Sequence, residues 1–168
     1  QQSVHIPNLT YDEVEGMFQW YREESGQTIE QEVIRRLFDE TNGQPGLTCW
    51  FGELLTDKYN PGKDKAITLD TFEEVYAAAI KVLPNNNILN LISKAGQAPY
   101  KQTVLELFKT TRKIEFSYDN KQLNFLYMNG VIDHEKHERT EYYVKFSSPF
   151  VQKRLFNYFS DEIFNYMG

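Results

Sequence analysis

The chain has 168 residues, of which 40% are apolar and 15% aromatic, and it carries a net charge of −6. This composition can fill a hydrophobic core, and it excludes a disordered chain. No stretch approaches the roughly 20 apolar residues of a membrane helix, the first residues lack a signal-peptide pattern, and Cys49 has no second cysteine to pair with. We therefore expect a cytoplasmic protein of one or two small domains, without a membrane partner.

The charge is distributed unevenly along the chain. Residues 1–85 contain 7 basic and 15 acidic side chains, whereas residues 86–168 contain 11 and 9. Together with the turn-forming stretch "LPNNN" (83–87), this asymmetry predicts two domains, 1–84 and 85–168. Neither half has the strong basic excess of a dedicated DNA-binding protein.

Four helical patterns follow one another in the first domain. The first begins at a capping box formed by Thr10 and Glu13. The second runs over about 29–41, the third starts at Pro45, and the fourth is expected to be capped by Asp70. Apolar residues recur at helical spacing in each pattern, so we expect a bundle of four short helices.

The second domain has a different pattern. Two short helical patterns precede "KIEFS" (113–117), which alternates like a strand, and a helix capped by Asp119 follows. "GVID" (130–133) and "YYVKF" (142–146) are predicted strands, and the polar "HEKHERTE" (134–141) is the expected loop between them. A last helix closes the chain. The order is that of a winged helix, so the predicted fold is mostly α with a small β-wing: a helical bundle followed by a winged-helix domain.

Motifs that would identify an enzyme are missing from the sequence. There is no phosphate-binding loop, no dinucleotide-binding glycine pattern and no nucleophile elbow. His134 and His137 lie in the polar stretch without a cysteine pair, which favours solvated side chains over a metal site. Cys49 is expected to be a small buried apolar residue rather than a nucleophile. We therefore assign no catalytic residue and no metal ligand.

The stretch "ETNGQPGL" (40–47) contains two glycines and a proline at the corner between two predicted helices. Gly43 can end one helix in a left-handed turn. Pro45 can begin the next helix, because a proline at the first helical position loses no hydrogen bond. These two roles account for the stretch as a simple corner.

The same residues also carry a resemblance to a known group of proteins. Gly43-Gln44-Pro45 resembles the glycine-x-proline motif in the helical lid of AAA+ and STAND-type ATPases, such as archaeal origin-recognition-like ATPases and NB-ARC switch proteins. "VHIPNLTYDEVEGMFQWY" (4–21) is similar to the segment that leads from their nucleotide domain into the first lid helix. "NFLYMNGVID" (124–133) and "YVKFSSPFVQKRLFNYF" (143–159) resemble the winged helix that follows the lid in many of them.

The resemblance implies a nucleotide-dependent switch. In those families the proline turn closes over the nucleotide from the lid side, so Gly43, Gln44 and Pro45 would contact ATP or ADP held by an upstream P-loop domain. A flat proline ring can press on an adenine face, and the amides at the next helix start favour nearby negative charge. The phosphate loop and the acidic Mg²⁺-binding strand would lie before residue 1, and no sensor arginine is assigned. The chain by itself is not expected to hydrolyse ATP.

A winged helix that binds DNA is the main alternative. The third helix of such a domain enters the major groove and offers side chains to bases and phosphates. The residues concerned are Lys113, Lys121, Gln122, Asn124 and Arg139, with Asn129 as a further candidate. Glu135, Glu138 and Glu141 in the wing argue against this function, because phosphate contacts require concentrated positive charge.

A protein-interaction module without a nucleotide role is the third hypothesis. Phe125 and Met128 can point outward from the third helix of the winged domain, and the final segment "NYFSDEIFNYMG" (157–168) is strongly aromatic. An exposed apolar patch there would bind a protein partner. The alternative is that these aromatic side chains fill the core of the domain.

Overall fold

The computed structural model describes residues 6–167, and their side chains up to residue 165. Val4 and His5, with which the resemblance to the lid-domain ATPases begins, lie outside the described residues. The described residues form two compact units, 6–83 (the N-terminal unit) and 84–167 (the C-terminal unit). The fold is mostly α with one small two-stranded antiparallel sheet among these residues, which confirms the predicted fold class.

Four helices build the N-terminal unit. They are α1 (Tyr11–Ser25), α2 (Gln31–Thr41), α3 (Pro45–Glu53), which a π-helical turn (Leu54–Lys58) extends, and α4 (Leu69–Lys81). The predicted capping box is present at the start of α1. Thr10 Oγ1 accepts from the Glu13 N–H at 3.2 Å, and Glu13 Oε1 accepts from the Thr10 N–H at 2.9 Å. These bonds satisfy two of the donors that a helix start leaves unpaired.

The start of α4 differs from the prediction. The N-cap is Thr68 rather than Asp70, and the Thr68 side chain makes no capping hydrogen bond. Glu30, at the N-cap of α2, takes over part of this role, because its Oε1 accepts from the Leu69 N–H at 3.3 Å. A donor at a helix start can be satisfied by a neighbouring element, and no local pattern records such a partner.

One apolar stripe from each helix forms the core of the N-terminal unit. The buried side chains on these helices include Val14, Phe18, Val33, Ile34, Leu37, Leu47, Phe51, Phe72, Val75 and Ala79. The rings of Phe51, Phe72 and Tyr76 lie 6.0–6.2 Å apart in stacked orientations. Burying each large side chain of this kind stabilises the fold by about 1.5–3 kcal/mol, so these stripes fix how the four helices pack.

A buried glutamine fixes the loop that connects α3 to α4. Gln27 is 2% exposed, and its Nε2 lies 2.9–3.0 Å from Asn60 Oδ1, Gly62 O and Lys65 O. Its Oε1 accepts from the Tyr21 hydroxyl at 2.6 Å. One buried amide group therefore joins the end of α1 to the loop, and its polar atoms are satisfied as a buried site requires.

The C-terminal unit has the element order of a winged helix. Its elements are α5 (Asn86–Ala95), α6 (Tyr100–Lys109), α7 (Lys121–Met128), β1 (Ile132–His137), β2 (Glu141–Phe146) and α8 (Pro149–Met167). The strand register runs from the pair Ile132–Phe146 to the pair His137–Glu141. The polar stretch 134–141 is therefore mostly strand and not a loop, which corrects the prediction. Most residues of this hairpin are half-buried or exposed, so the apolar alternation that marks a strand is weak there.

The stretch 113–117 forms a shorter strand-like contact than predicted. The Phe116 N–H donates to Tyr142 O, and the Val144 N–H donates to Ile114 O, each at 2.8 Å. Only one bridge results, so this segment is a rudimentary third strand on the open edge of β2.

The helix that follows this segment is capped one residue later than predicted. Asn120 rather than Asp119 is the N-cap of α7, and its Oδ1 accepts from the Leu123 N–H at 3.1 Å. α7 packs through Leu123 and Leu126 into a core shared with α5, α6 and α8. The buried side chains contributed by α5, α6 and α8 include Ile88, Ile92, Ala95, Val104, Leu105, Phe150, Val151, Leu155, Phe159 and Ile163.

Candidate functional site

α2 and α3 meet at a corner formed by residues 42–46, which we call the GQP corner. Asn42 and Gly43 are both left-handed, with φ of 52° and 73°. The Gln44 N–H donates to Thr41 O at 3.0 Å, and α3 begins at Pro45. The predicted helix end and helix start are therefore both confirmed.

Gly43 is required here by packing as well as by its backbone conformation. A Cβ on this residue would lie 2.1 Å from Leu9 O and 3.1 Å from Phe38 Cε1. The Leu9 N–H also donates to Gly43 O at 2.7 Å. The segment that leads into α1 is thus in direct backbone contact with the corner, so neither can move far without the other.

Gln44 acts as the N-cap of α3. Its Oε1 accepts from the Leu47 N–H at 2.6 Å. The sequence suggested exposed amides at this helix start, but Pro45 has no N–H and the Leu47 amide is already satisfied within the chain. The Gln44 side-chain nitrogen, in contrast, has no hydrogen bond among the described residues, and it is the part of this side chain that remains available for a ligand.

Two buried threonines, Thr41 and Thr48, flank the GQP corner in the chain. Thr41 Oγ1 donates to Leu37 O at 2.8 Å, accepts from the Gly43 N–H at 3.2 Å and lies 3.5 Å from Thr48 Oγ1. Thr41 and Thr48 are fully buried, whereas Pro45 is half-buried and Gln44 is exposed. The proline is therefore partly accessible at the surface of the N-terminal unit.

Aromatic and charged side chains surround the corner. The Arg35 guanidinium lies 3.9 Å from the centroid of the Tyr11 ring, and the edge of that ring meets Phe38 at a centroid distance of 5.5 Å. Near the end of α2, the Tyr76 hydroxyl donates to Glu40 Oε1 at 2.7 Å. Burial and this hydrogen bond to Glu40 raise the pKa of Tyr76 well above its usual value, so its hydroxyl stays protonated at neutral pH.

The residues of the DNA-binding alternative differ in their exposure to solvent. Lys121 and Gln122 are exposed in the first turn of α7, and Arg139 is exposed in the turn of the wing. Asn124 is half-buried, and its Oδ1 is buried without a hydrogen-bond partner among the described residues, so this side chain is turned inward. Lys113 Nζ lies 3.4 Å from His137 Nδ1, beside the wing.

Acidic groups neutralise part of the positive charge of the wing. Glu135 accepts from His137 Nε2 at 2.9 Å, and its other carboxylate oxygen lies 3.7 Å from Lys145 Nζ. The hydrogen bond from His137 and the charge of Lys145 lower the pKa of Glu135 below its ordinary value. The wing therefore presents less unpaired positive charge than its lysines suggest.

The aromatic residues of the protein-interaction hypothesis are divided between core and surface. Phe125 does not point outward, because it stacks on Tyr100 with a centroid distance of 3.7 Å and an interplanar angle of 7°. In the final segment Phe159 is buried, whereas Tyr158 and Phe164 are 63% and 61% exposed. The described part of this segment thus fills the core with one face and leaves two aromatic side chains in solvent.

Two further predictions about single side chains are wrong. His134 is not simply solvated, because it packs 5.0–5.8 Å from the rings of Phe116, Tyr127 and Tyr142. Cys49 is exposed and not buried. It lies on the side of α3 that, together with α1, forms an apolar groove that the sequence did not indicate.

Within residues 6–167, no three His, Cys, Asp or Glu side chains come together in a way that could hold a metal ion. Over the same residues, none of the helices combines the length and the apolar character needed to cross a membrane.

Comparisons of the chain with protein families, with curated proteins and with solved structures give no match.

Proposed function

We propose that this chain is the lid and winged-helix part of a nucleotide-dependent switch of the AAA+/STAND type, without catalytic residues of its own. The observation that carries the proposal is the partly accessible position of Pro45 in the GQP corner, next to the exposed Gln44. ATP or ADP bound by an upstream P-loop domain would contact Gln44 and Pro45, whereas Gly43, which the resemblance also assigns to the nucleotide, is buried against Leu9 and would shape the turn. A rotation of the lid would then reposition the winged helix and expose or hide a surface for a protein partner.

The contact between Leu9 and Gly43 supports this proposal. In the lid-domain ATPases the segment before the first lid helix comes from the nucleotide domain, and here the corresponding segment is hydrogen-bonded to the corner. A displacement of that segment would therefore reach the nucleotide-contacting residues directly.

Charge indicates which part of a nucleotide the corner would contact. Residues 1–85 carry an excess of acidic side chains, 15 against 7 basic ones, which disfavours a nearby triphosphate. The proline ring and the unpaired Gln44 amide nitrogen suit an adenine base, which offers an apolar face and hydrogen-bond acceptors. The phosphates would lie on the P-loop domain, whose backbone amides and lysine bind them.

The lone cysteine bears on the compartment in which this switch would act. Cys49 is the one cysteine of the sequence, so it cannot form a disulfide within the chain. An exposed free thiol of this kind persists in a reducing compartment such as the cytoplasm.

The reading frame upstream of Gln1 gives the first test of the proposal. It should encode a phosphate-binding loop and an acidic Mg²⁺-binding strand, and a frame without a nucleotide-binding domain would remove the proposal.

Mutation of the corner gives the second test. In the polypeptide that includes the nucleotide-binding domain, Pro45→Ala should weaken ADP binding roughly tenfold, about 1.4 kcal/mol. Pro61→Ala is the matched control, because Pro61 is also half-buried in the N-terminal unit but lies in another loop. Unaltered nucleotide affinity and turnover in Pro45→Ala would count decisively against the role of the corner.

DNA binding by the winged helix is a second candidate, favoured by the exposed Lys121 and Gln122 in the first turn of α7. If it is correct, Lys121→Ala should weaken binding to all duplex sequences and reduce the salt dependence of binding by about one phosphate contact. The inward-facing Asn124 should matter little. A gel shift at low salt that shows no complex with the 168-residue chain would exclude this function.

A further inference from the structure

α1 and α3 leave an open groove between them on the surface of the N-terminal unit. Its volume is about 560 Å³, and its walls include Gly16, Met17 and Trp20 on α1, Cys49 and Gly52 on α3, and Thr56 on the π-helical turn that extends α3. Trp20 is 63% exposed and Met17 is 40% exposed. The Phe18 ring forms the floor, since a Cβ on Gly52 would lie 3.7 Å from it. The groove is therefore lined by apolar or small side chains along both helices.

Gly16 has no role in folding that the structure reveals. It is an exposed interior residue of α1, and a Cβ at this position would meet nothing within 4 Å. A glycine inside a helix costs about 1 kcal/mol relative to alanine, so this residue destabilises the helix without relieving any internal clash. A glycine in such a position suits the close approach of another backbone from outside the chain.

The edges of the groove are acidic. Glu13 and Glu24 share the α1 face with Gly16 and Trp20, as the helical spacing requires. Glu53 follows Gly52 on α3, and neither Glu24 nor Glu53 forms an ion pair or a side-chain hydrogen bond among the described residues.

The far end of the groove holds one positive charge. Lys63 Nζ lies 2.7 Å from the Tyr21 hydroxyl and 3.3 Å from Thr56 O. The other charged side chains at the edges are carboxylates, in a unit that is acidic as a whole.

We propose that this groove binds an amphipathic helix of another protein, with a narrow apolar stripe flanked by lysine or arginine. A groove between two helices accepts a third helix through apolar side chains that recur every three or four residues. Gly16 and Gly52 let the backbone of that helix come close, and Trp20 and Met17 supply large, adaptable contact surface. The acidic edges select basic flanks and disfavour the same acidic unit of a second copy of this chain.

The test uses a synthetic peptide of about 18 residues, five helical turns, with leucines on one face and lysines beside them. Titrated into the 168-residue chain, it should bind at one site with a micromolar dissociation constant, roughly −8 kcal/mol. Amide resonances that shift should cluster in α1 and α3, and the Trp20 emission should move to shorter wavelength. A peptide of the same composition with glutamate in place of lysine should bind at least tenfold more weakly, a difference of about 1.4 kcal/mol.

Two variants separate binding from folding. Gly16→Leu fills the groove at a position that is open in the free chain, so the midpoint of thermal unfolding should stay or rise while the peptide affinity falls at least tenfold, about 1.4 kcal/mol. Glu53→Lys should weaken binding of the lysine peptide and reduce the difference in affinity between the lysine peptide and the glutamate peptide. Glu74→Lys is the matched control, because Glu74 is an exposed carboxylate on α4, outside the groove lining, and its replacement should leave affinity unchanged.

Three results would overturn the proposal. Binding that does not saturate, or that Gly16→Leu leaves intact, would show that the groove is not the site. Equal binding of the lysine and glutamate peptides would refute the charge argument. Sedimentation that shows a concentration-dependent dimer, lost in Gly16→Leu, would identify a second copy of this chain as the occupant instead.

Discussion

Replacement of Gly43 by alanine tests the packing of the GQP corner most directly. At φ of 73° an alanine is strained by about 1–2 kcal/mol. Its Cβ would also lie 2.1 Å from Leu9 O, so the segment before α1 has to move by about 1 Å before the contact reaches the 3.0 Å that real Cβ atoms respect. That movement breaks the 2.7 Å hydrogen bond from the Leu9 N–H, which adds about 1 kcal/mol. We expect Gly43→Ala to lower the free energy of unfolding by about 2–3 kcal/mol in total.

Gly26→Ala supplies the matched control. Gly26 has nearly the same backbone conformation, with φ of 74°, and like Gly43 it lies within two residues of the end of a helix. A Cβ there would meet nothing within 4 Å, so only the strain of about 1–2 kcal/mol applies. The difference between the two variants isolates the contact between the corner and the segment before α1.

Urea unfolding followed by tryptophan fluorescence measures both variants. Trp20 and Trp50 are the two tryptophans of the chain, and both lie in the N-terminal unit, so the signal reports this unit. A denaturant slope of about 1–2 kcal/mol per molar converts the expected difference into a midpoint about 1 M lower for Gly43→Ala than for Gly26→Ala. Equal midpoints would show that the approach of Leu9 is not tight in solution and would refute the reasoning.

Three smaller predictions concern other parts of the fold. Thr10→Ala removes the capping box of α1 and should lower the unfolding free energy by about 1 kcal/mol in urea unfolding, whereas no change would mean that water replaces the cap. Tyr76→Phe keeps the ring stack but loses the hydrogen bond to Glu40, so it should cost about 1 kcal/mol at pH 7. The pKa of Tyr76 is higher in the folded chain than its unfolded value of 10.0, so the Tyr76 hydroxyl stabilises the fold fully below pH 10. This stabilisation is lost as the pH rises through the pKa of the folded chain, and the cost of Tyr76→Phe should therefore shrink above pH 10. In an NMR titration the Glu135 carboxyl should titrate below its ordinary pKa of 4.5. The contact of Glu135 with His137 and Lys145 should therefore stabilise the wing fully above pH 4.5, and this stabilisation should be lost as the pH falls through the lowered pKa of Glu135. His137→Ala should move the midpoint back towards 4.5, and an unmoved midpoint would contradict the assigned cause.

Features encoded by neighbouring residues could be predicted from the sequence. The capping box of Thr10 and the corner at Gly43 and Pro45 depend on backbone groups within a few residues of each other, so a short pattern records them. The apolar stripes of the helices and the mostly α fold follow from the same local periodicity.

Features that depend on contacts between distant residues could not be predicted. The start of α4 was misplaced because Glu30, on another helix, satisfies the Leu69 amide. Residues 134–137 were misassigned to a loop because a hairpin with little buried surface needs no apolar alternation. The prediction that Cys49 is buried is wrong because the spacing of apolar residues does not show whether the helix face that carries Cys49 packs against a neighbouring element or remains exposed.

The two candidate sites also differ in whether neighbouring or distant residues form them. The sequence singled out the GQP corner because its unusual residues are consecutive. The groove was missed because its two walls, near Trp20 and near Gly52, are about thirty residues apart in the chain and meet only after folding. A small hint was present in Gly16, a helix-weakening residue inside an otherwise strong helical pattern.

The hydrogen bond between Leu9 and Gly43 also has a mechanical consequence. Tension applied to the chain ahead of α1 passes to the GQP corner through this backbone hydrogen bond. Gly43 is buried and packed closely against Leu9, so the corner shares that load with α1. A pull on the segment before α1 therefore acts at two places in the N-terminal unit at once.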